Sequence, residues 1–392
     1  MDEPKALALG EKLIFILLIL FPFGQLIRLS FNIFGQSVVL QPIDLIAGIV
    51  LLLVLFSKKD KPRTIAFRAF FVSLLYSFTF SIVFFKVSRL LPGTLYFLRL
   101  VAYYFLFILA WNLSKNKKGF KELVLKALLL EAVVVGIFGW YQYFRYPDLT
   151  SLKFLGWDDH LFRLVSTFLD PGFTGIILAL GFLIALVKFS REKKKIFLIA
   201  LAFLLVTTAF TYARAAYLAL LAGSLVFLYL EKKIKIFVLI LAGLTFIAIS
   251  LPRPSSEGVK LERVSSIYPR LENYRESFEI IKISPLFGVG YNNLCEAKIM
   301  FLGQVGQDSH SCTGLDSSVL MIWATTGIFG LIIFSYLVFV VWTQSSANIY
   351  GLIFKSSIVA VFVHSLFTNS LFYPWVLAWT VLLLGASFKE TS

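Results

Sequence analysis

The chain is 392 residues long, 59% of them apolar and 17% aromatic, with a mean hydropathy of +0.85. Soluble domains carry about 45–50% apolar residues, so an ordinary water-soluble globule is excluded. The formal charge of +15 is not the footprint of a nucleic-acid binder either: much of it lies in short clusters between apolar runs, as in the cytoplasmic loops of membrane proteins.

A hydrocarbon core about 30 Å thick takes about 20 apolar residues per helix, and runs of that size recur along the whole chain. The expected fold is all-α and polytopic, with about twelve transmembrane helices. The first two spans cover roughly 12–30 and 39–56, followed by the basic cluster Lys58, Lys59, Lys61 and Arg63. The first run lacks a small-residue cleavage site and reads as a retained span. Spans three and four cover roughly 65–86 and 94–112, before Lys115, Lys117, Lys118 and Lys121. Span five, roughly 123–144, is followed by a polar loop to 172. Span six (173–189) leads to Arg191, Lys193, Lys194 and Lys195. Spans seven (196–212) and eight (213–230) abut, before Glu231, Lys232, Lys233 and Lys235. Span nine covers roughly 236–251, and spans ten (318–342), eleven (350–372) and twelve (373–388) close the chain.

With both termini in the cytoplasm, every one of these basic clusters falls on the cytoplasmic side. The loops at 145–172 and 252–317 then face outward. The chain divides into a first set of spans (1–251), a large outer loop (252–317) and a last set (318–392). Within the large loop, Leu271, Tyr274, Phe278 and Ile281 recur at helical intervals, which predicts an amphipathic helix from Arg270 to Ile283. Pro285 closes it, and Gly288 and Gly290 mark a turn.

Ionisable groups inside or beside spans are costly and point to function by default. Arg214, in Thr211-Tyr212-Ala213-Arg214-Ala215-Ala216-Tyr217, stands at the outer junction of spans seven and eight. It either snorkels to the interface or points into a cavity, and the small residues on both sides favour the cavity. Arg163 precedes span six, as an interfacial charge, a salt-bridge partner of Asp170, or a second guanidinium facing the same outward cavity. Two such planar forks suit a diphosphate. His310, in the outer loop, is either a solvated side chain or a proton acceptor for a hydroxyl near neutral pH. His160 is a weaker loop candidate, and His364 reads as a polar contact between helices, with lining the cavity as the lesser alternative.

Cys295 and Cys312 share the outer loop. They are either two thiols or a disulfide closing a loop of roughly 16–18 residues, worth about 3 kcal/mol in the chain-entropy model. No His/Cys spacing fits zinc and no carboxylates cluster in the sequence. A phosphate-binding Gly-rich loop with Lys is absent as well. The expectation is a protein that works without cofactor, metal, ATP or nucleic acid. A transporter of the same span count would want polar groups at mid-membrane and a repeat between halves, whereas these charges gather at the outer side.

The stretches Arg163–Pro171, Thr211–Tyr217, Arg270 through Ser284-Pro285-Leu286-Phe287-Gly288-Val289-Gly290-Tyr291-Asn292-Asn293, and Ser309-His310-Ser311 followed by Ile322–Gly330 together resemble the O-antigen ligase and polymerase family of bacterial envelope enzymes. The similarity covers roughly 150–340. The chain departs from the family pattern at Ser311, where Asn is usual, and at Asp170-Pro171-Gly172, where the family has Asn-Pro-Asn.

The resemblance implies a membrane glycosyltransferase of the C-type fold in the bacterial inner membrane, its active site facing the periplasm. The donor would be a glycan on undecaprenyl diphosphate. The acceptor would be a sugar hydroxyl of lipid A-core for a ligase, or another lipid-linked repeat for a polymerase. By the same resemblance His310 would be the base, and Arg214 and Arg163 would stabilise the departing diphosphate in an inverting displacement. Arg270, Arg275, Tyr212 and Tyr217 would contact substrate.

Overall fold

The computed structural model describes residues 3–33, 36–57, 60, 62, 65–155, 157–254, 256–303 and 314–389. Each expected apolar run is a helix. In chain order these are α1 (Glu3–Leu20), α2 (Pro42–Leu55), α3 (Ile65–Phe80), α4 (Leu91–Asn116), α5 (Phe120–Arg145), α6 (Pro171–Glu192), α7 (Lys195–Ala209), α8 (Arg214–Leu230) and α9 (Ile234–Ser250). The long loop at 252–317 contributes α10 (Tyr268–Ile283) and α11 (Leu294–Leu302), before α12 (Ser318–Gln344), α13 (Ile349–His364) and α14 (Pro374–Ser387). Among the described residues, six helices are long and apolar enough to cross a membrane, α1, α3, α4, α5, α6 and α12, and the other apolar helices are shorter. The chain is an all-α membrane protein in architecture.

Three elements differ from expectation. The first helix begins and ends earlier than the predicted 12–30, because Pro22 lacks an amide hydrogen and Gly24 takes φ +52°. The chain then forms a small antiparallel hairpin, β1 (Leu29–Ile33) with β2 (Gln36–Leu40). The eleventh run, expected to reach 372, stops at His364. Phe367 and Thr368 both donate their amides to the His364 carbonyl, and the Ser- and Thr-rich segment after it turns instead of continuing as helix.

Helix α6 lies at the centre, with 83% of its hydrophobic window buried against 33–44% for the other long apolar helices. It packs on α5, α7, α8 and α13. Its start is fixed by Pro171 in the first turn and by the Asp170 carboxylate accepting the Phe173 amide at 2.7 Å. A Cβ on Gly175 would lie 2.5 Å from that of Ala216. This small-on-small contact lets the start of α6 meet the start of α8.

The long loop is anchored at its far end by an interlock with α12. The amides of Val289 and Gly290 donate to the Ala324 and Thr325 carbonyls at 3.0 Å, and Ile328 donates to Pro285 at 2.9 Å. Helix α12 is broken there by Gly327 (φ +67°), and Gly288 opposite it takes φ +72°. Added Cβ atoms would meet backbone at 2.1 Å and 2.2 Å respectively. Two glycine motifs separated by a long stretch of sequence are thus one packing unit, with Ser77 of α3 also donating to Thr325.

Replacing Gly327 by Ala forces both a strained backbone and a clash. The expected result is a loss of at least about 2 kcal/mol, read as a lowered detergent-solution melting temperature and reduced yield. Ala at Gly48, where a Cβ would meet nothing within 4 Å, serves as the neutral comparison.

Candidate active site

The site is built on the junction between α7 and α8. The last carbonyls of a helix, and those just beyond, lack intrahelical partners and carry partial negative charge. Here three neighbouring carbonyls past α7 are taken by two segments, the first two by 163–164 and the third by the long loop. Phe210 accepts the Leu164 amide at 3.0 Å, Thr211 accepts Arg163 Nε at 3.1 Å, and Tyr212, held at φ +51°, accepts Arg263 Nη2 at 3.2 Å.

Arg214 opens α8 and reaches the long loop. Its Nη1 donates to the Leu261 and Arg263 carbonyls at 3.2 and 3.1 Å, and its Nη2 donates to Ser266 Oγ at 2.8 Å. Arg214 and Arg263 therefore clasp reciprocally, each guanidinium holding backbone of the other's segment. The loop lies over Arg163 as well: a Cβ on Gly258 would sit 3.0 Å from Arg163 Cδ.

Arg270, in the first turn of α10, completes the group. Its charge is felt at Arg163, Arg214 and Arg263. Among the described residues none of these four arginines forms an ion pair with a carboxylate, and Arg270 makes no hydrogen bond either. Burial and then Arg263 pull the Arg163 guanidinium down to about 10. Burial, then Arg214 and Arg270, lower Arg263. Like charges held together and partly desolvated are a standing cost unless an anion joins them.

Asp170 does not bridge Arg163 at ion-pair distance; its carboxylate caps α6. Burial raises it despite the amides of Phe173 and Gly172 and the charge of Arg163. Asp316, just before α12, is likewise raised by burial against Arg270 and Lys298.

The structure places Arg163, Arg214, Arg263 and Arg270 about this junction, where the sequence pairs only Arg163 with Arg214. Nothing in composition separated Arg263 from its exposed neighbours, because its selection depends on the loop folding back onto Tyr212. Arg275 lies apart, exposed and paired with Glu272 at 3.8 Å on its own helix. The two tyrosines are buried with their hydroxyls committed to backbone, Tyr212 to Pro252 at 2.6 Å and Tyr217 to Ala209. Both therefore shape the junction and the loop. His310 and Cys312 lie outside the described residues; Cys295, in α11, is disulfide-bonded.

A helical bundle with membrane-length apolar helices, and with four arginines gathered at one end under the folded-back 257–266 segment, defines the class: an all-α membrane protein. Residues 161–335 match the family model described as O-antigen ligase, so that stretch of the chain is similar to the O-antigen ligase family. The match contains all four arginines. It implies a membrane glycosyltransferase-like enzyme of the ligase or polymerase type, acting on lipid-linked glycan and a glycan acceptor. No curated protein matches the chain.

His160 supplies a pH test of the smaller loop. It is buried at 5% exposure, and burial, with Arg163 next, lowers it from 6.5 to about 4. Its folded pKa lies below the unfolded one, so the stabilisation is complete above about pH 6.5 and is lost as pH falls toward 4. The shift corresponds to about 3 kcal/mol at most. Amide exchange in 145–172 should accelerate between pH 7 and 5 after correction for intrinsic rates. His160→Gln should flatten that slope; an unchanged slope in the variant would assign it to other groups.

Proposed function

We propose that the protein is an O-antigen ligase-like glycosyltransferase that moves a glycan from undecaprenyl diphosphate to a sugar hydroxyl of lipid A-core. The observation that carries this reading is the set of four guanidiniums, Arg163, Arg214, Arg263 and Arg270, gathered without a carboxylate partner among the described residues. A diphosphate leaving group gains negative charge as the anomeric C–O bond breaks. Preorganised cations at that point lower the barrier because they need no reorganisation. Arginine forks also match phosphate oxygens bidentately.

In this reading twelve helices cross the bacterial inner membrane, both termini are cytoplasmic, and the 145–172 and 252–317 loops face the periplasm. The segments 1–251 and 318–392 form the membrane body. The acceptor hydroxyl attacks the anomeric carbon from the face opposite the diphosphate, which inverts the configuration. His310 takes the hydroxyl proton, and the electron pair of the broken bond departs on the diphosphate-lipid. The arginines divide their work. Arg270 and Arg163 hold phosphate, while Arg214 and Arg263 hold the 252–266 segment over them. No metal, ATP or other cofactor enters the scheme.

The test is transfer by purified protein from labelled undecaprenyl-diphosphate glycan, with lipid A-core, a second lipid-linked repeat, or neither added. Extension of lipid A-core supports the ligase; extension of the lipid-linked repeat instead makes it a polymerase. Arg163→Ala and Arg270→Ala should each lower the rate by about 10²–10³ with little change in melting temperature. His310→Ala should cost about 10²–10⁴. Arg163→Lys should recover only part, since it keeps the charge and loses the fork. Undiminished transfer in the arginine variants would overturn the mechanism.

A further inference from the structure

The turn that carries Arg163 is held by a side chain of the neighbouring helix. Gln142 stands in the last turn of α5, and its carboxamide meets four backbone groups. The oxygen accepts the amides of Val165 at 2.9 Å and Ser166 at 3.3 Å. The nitrogen donates to the carbonyls of Tyr146 at 3.0 Å and Arg163 at 3.3 Å. Two N–H groups on one side and two carbonyls on the other settle which end of the amide is oxygen. A glutamine offers two lone pairs and two hydrogens, and here all four are used.

The segment needs such a clamp. Phe162, Ser166 and Leu169 take φ of +55°, +52° and +55°, a region that residues with a Cβ seldom enter and keep only where their surroundings impose it. Part of the imposition comes from the Ser166 hydroxyl, which donates to Val135 of α5 at 2.7 Å. The Phe162 and Leu164 amides add bonds to Pro147 at 2.8 Å and Phe210 at 3.0 Å. Gln142 supplies what remains: it holds the carbonyl of Arg163 itself and the two amides that follow Leu164.

The consequence falls on the guanidinium. Arg163 sits against the like charge of Arg263, so an unclamped backbone would let it swing away. Its backbone is tied to α5 through Gln142, and its Nε to the Thr211 carbonyl at 3.1 Å. With both ends of the side chain fixed, the direction of the two Nη groups is set. Among the described residues neither Nη makes a hydrogen bond.

We propose that Gln142 is a positioning residue for the lipid diphosphate: its four hydrogen bonds set the backbone of 163–166 and so present the Arg163 Nη groups to phosphate oxygens. The proposal rests on the transferase reading above and extends the machinery to α5, ahead of residues 161–335.

Full-length protein in nanodiscs, titrated with farnesyl diphosphate as a short isoprenyl-diphosphate probe and with farnesol as its phosphate-free control, tests this without requiring transfer. Gln142→Met, close in shape but without the four bonds, should weaken diphosphate binding about tenfold, the size of one hydrogen bond to a charged group, and leave farnesol binding unchanged. Gln142→Asn keeps the amide one methylene short of its partners. It should lose several-fold, and it covers the case in which Gln142→Met does not fold. In the Arg163→Ala protein either Gln142 change should add nothing, because a residue that acts through Arg163 has no other route. The same loss repeated in that background would assign the effect to packing and overturn the proposal. Unchanged binding in both Gln142 variants, with binding weakened in Arg163→Ala, would overturn it too; either result leaves the transferase reading intact. Failure of the unmodified protein to bind the diphosphate would overturn both.

Discussion

The arginine-bearing end of this molecule depends on three carbonyls left open where α7 ends. A helix terminus is a row of acceptors with partial negative charge, and in a membrane protein such acceptors must find donors within the protein. The 145–172 loop answers with the Leu164 amide and Arg163, and the 252–317 loop with Arg263. Two separate loops are thereby drawn to one spot. The arginines arrive as hydrogen-bond donors to backbone and, as a consequence, bring their charges together.

That arrangement explains how so much like charge can be held in place. Each of Arg163, Arg214 and Arg263 is tied to backbone or hydroxyl oxygens, which offset part of the repulsion without cancelling the charge. A carboxylate partner would have neutralised the site; carbonyls leave it cationic. Arg270 lacks even these partners and is placed by α10, which is held from below by the interlock of Gly288 with the break at Gly327. The glycine motifs thus position the loop mechanically, and the arginines supply the electrostatics.

Much of this was legible in the chain. Apolar runs long enough to be helices follow directly from hydropathy, and the amphipathic spacing of Leu271, Tyr274, Phe278 and Ile281 was enough to predict α10. Arg214 stood out because a charge between small residues at a span end is expensive. Arg263 did not, since a polar loop full of charges offers no local contrast. Arg275 illustrates the converse: it shares the helix of Arg270, yet its position on the turn sends it to solvent and to Glu272. The eleventh run is expected to carry His364 within it, but the hydroxyl-rich segment beyond it ends the helix there.

The sequence by itself determined the class of protein. Apolar length dictates membrane helices, and charges standing at span ends mark where to look for a site. Which charges meet was decided only by the tertiary structure. Helix ends, loop reach and the close approach of Gly175 to Ala216 are long-range matters, and no local pattern encodes them. The folding back of residues 257–266 onto the α7–α8 junction selects Arg263 over its neighbours. Periodicity is a property of adjacent residues, whereas a site is a property of surfaces that meet.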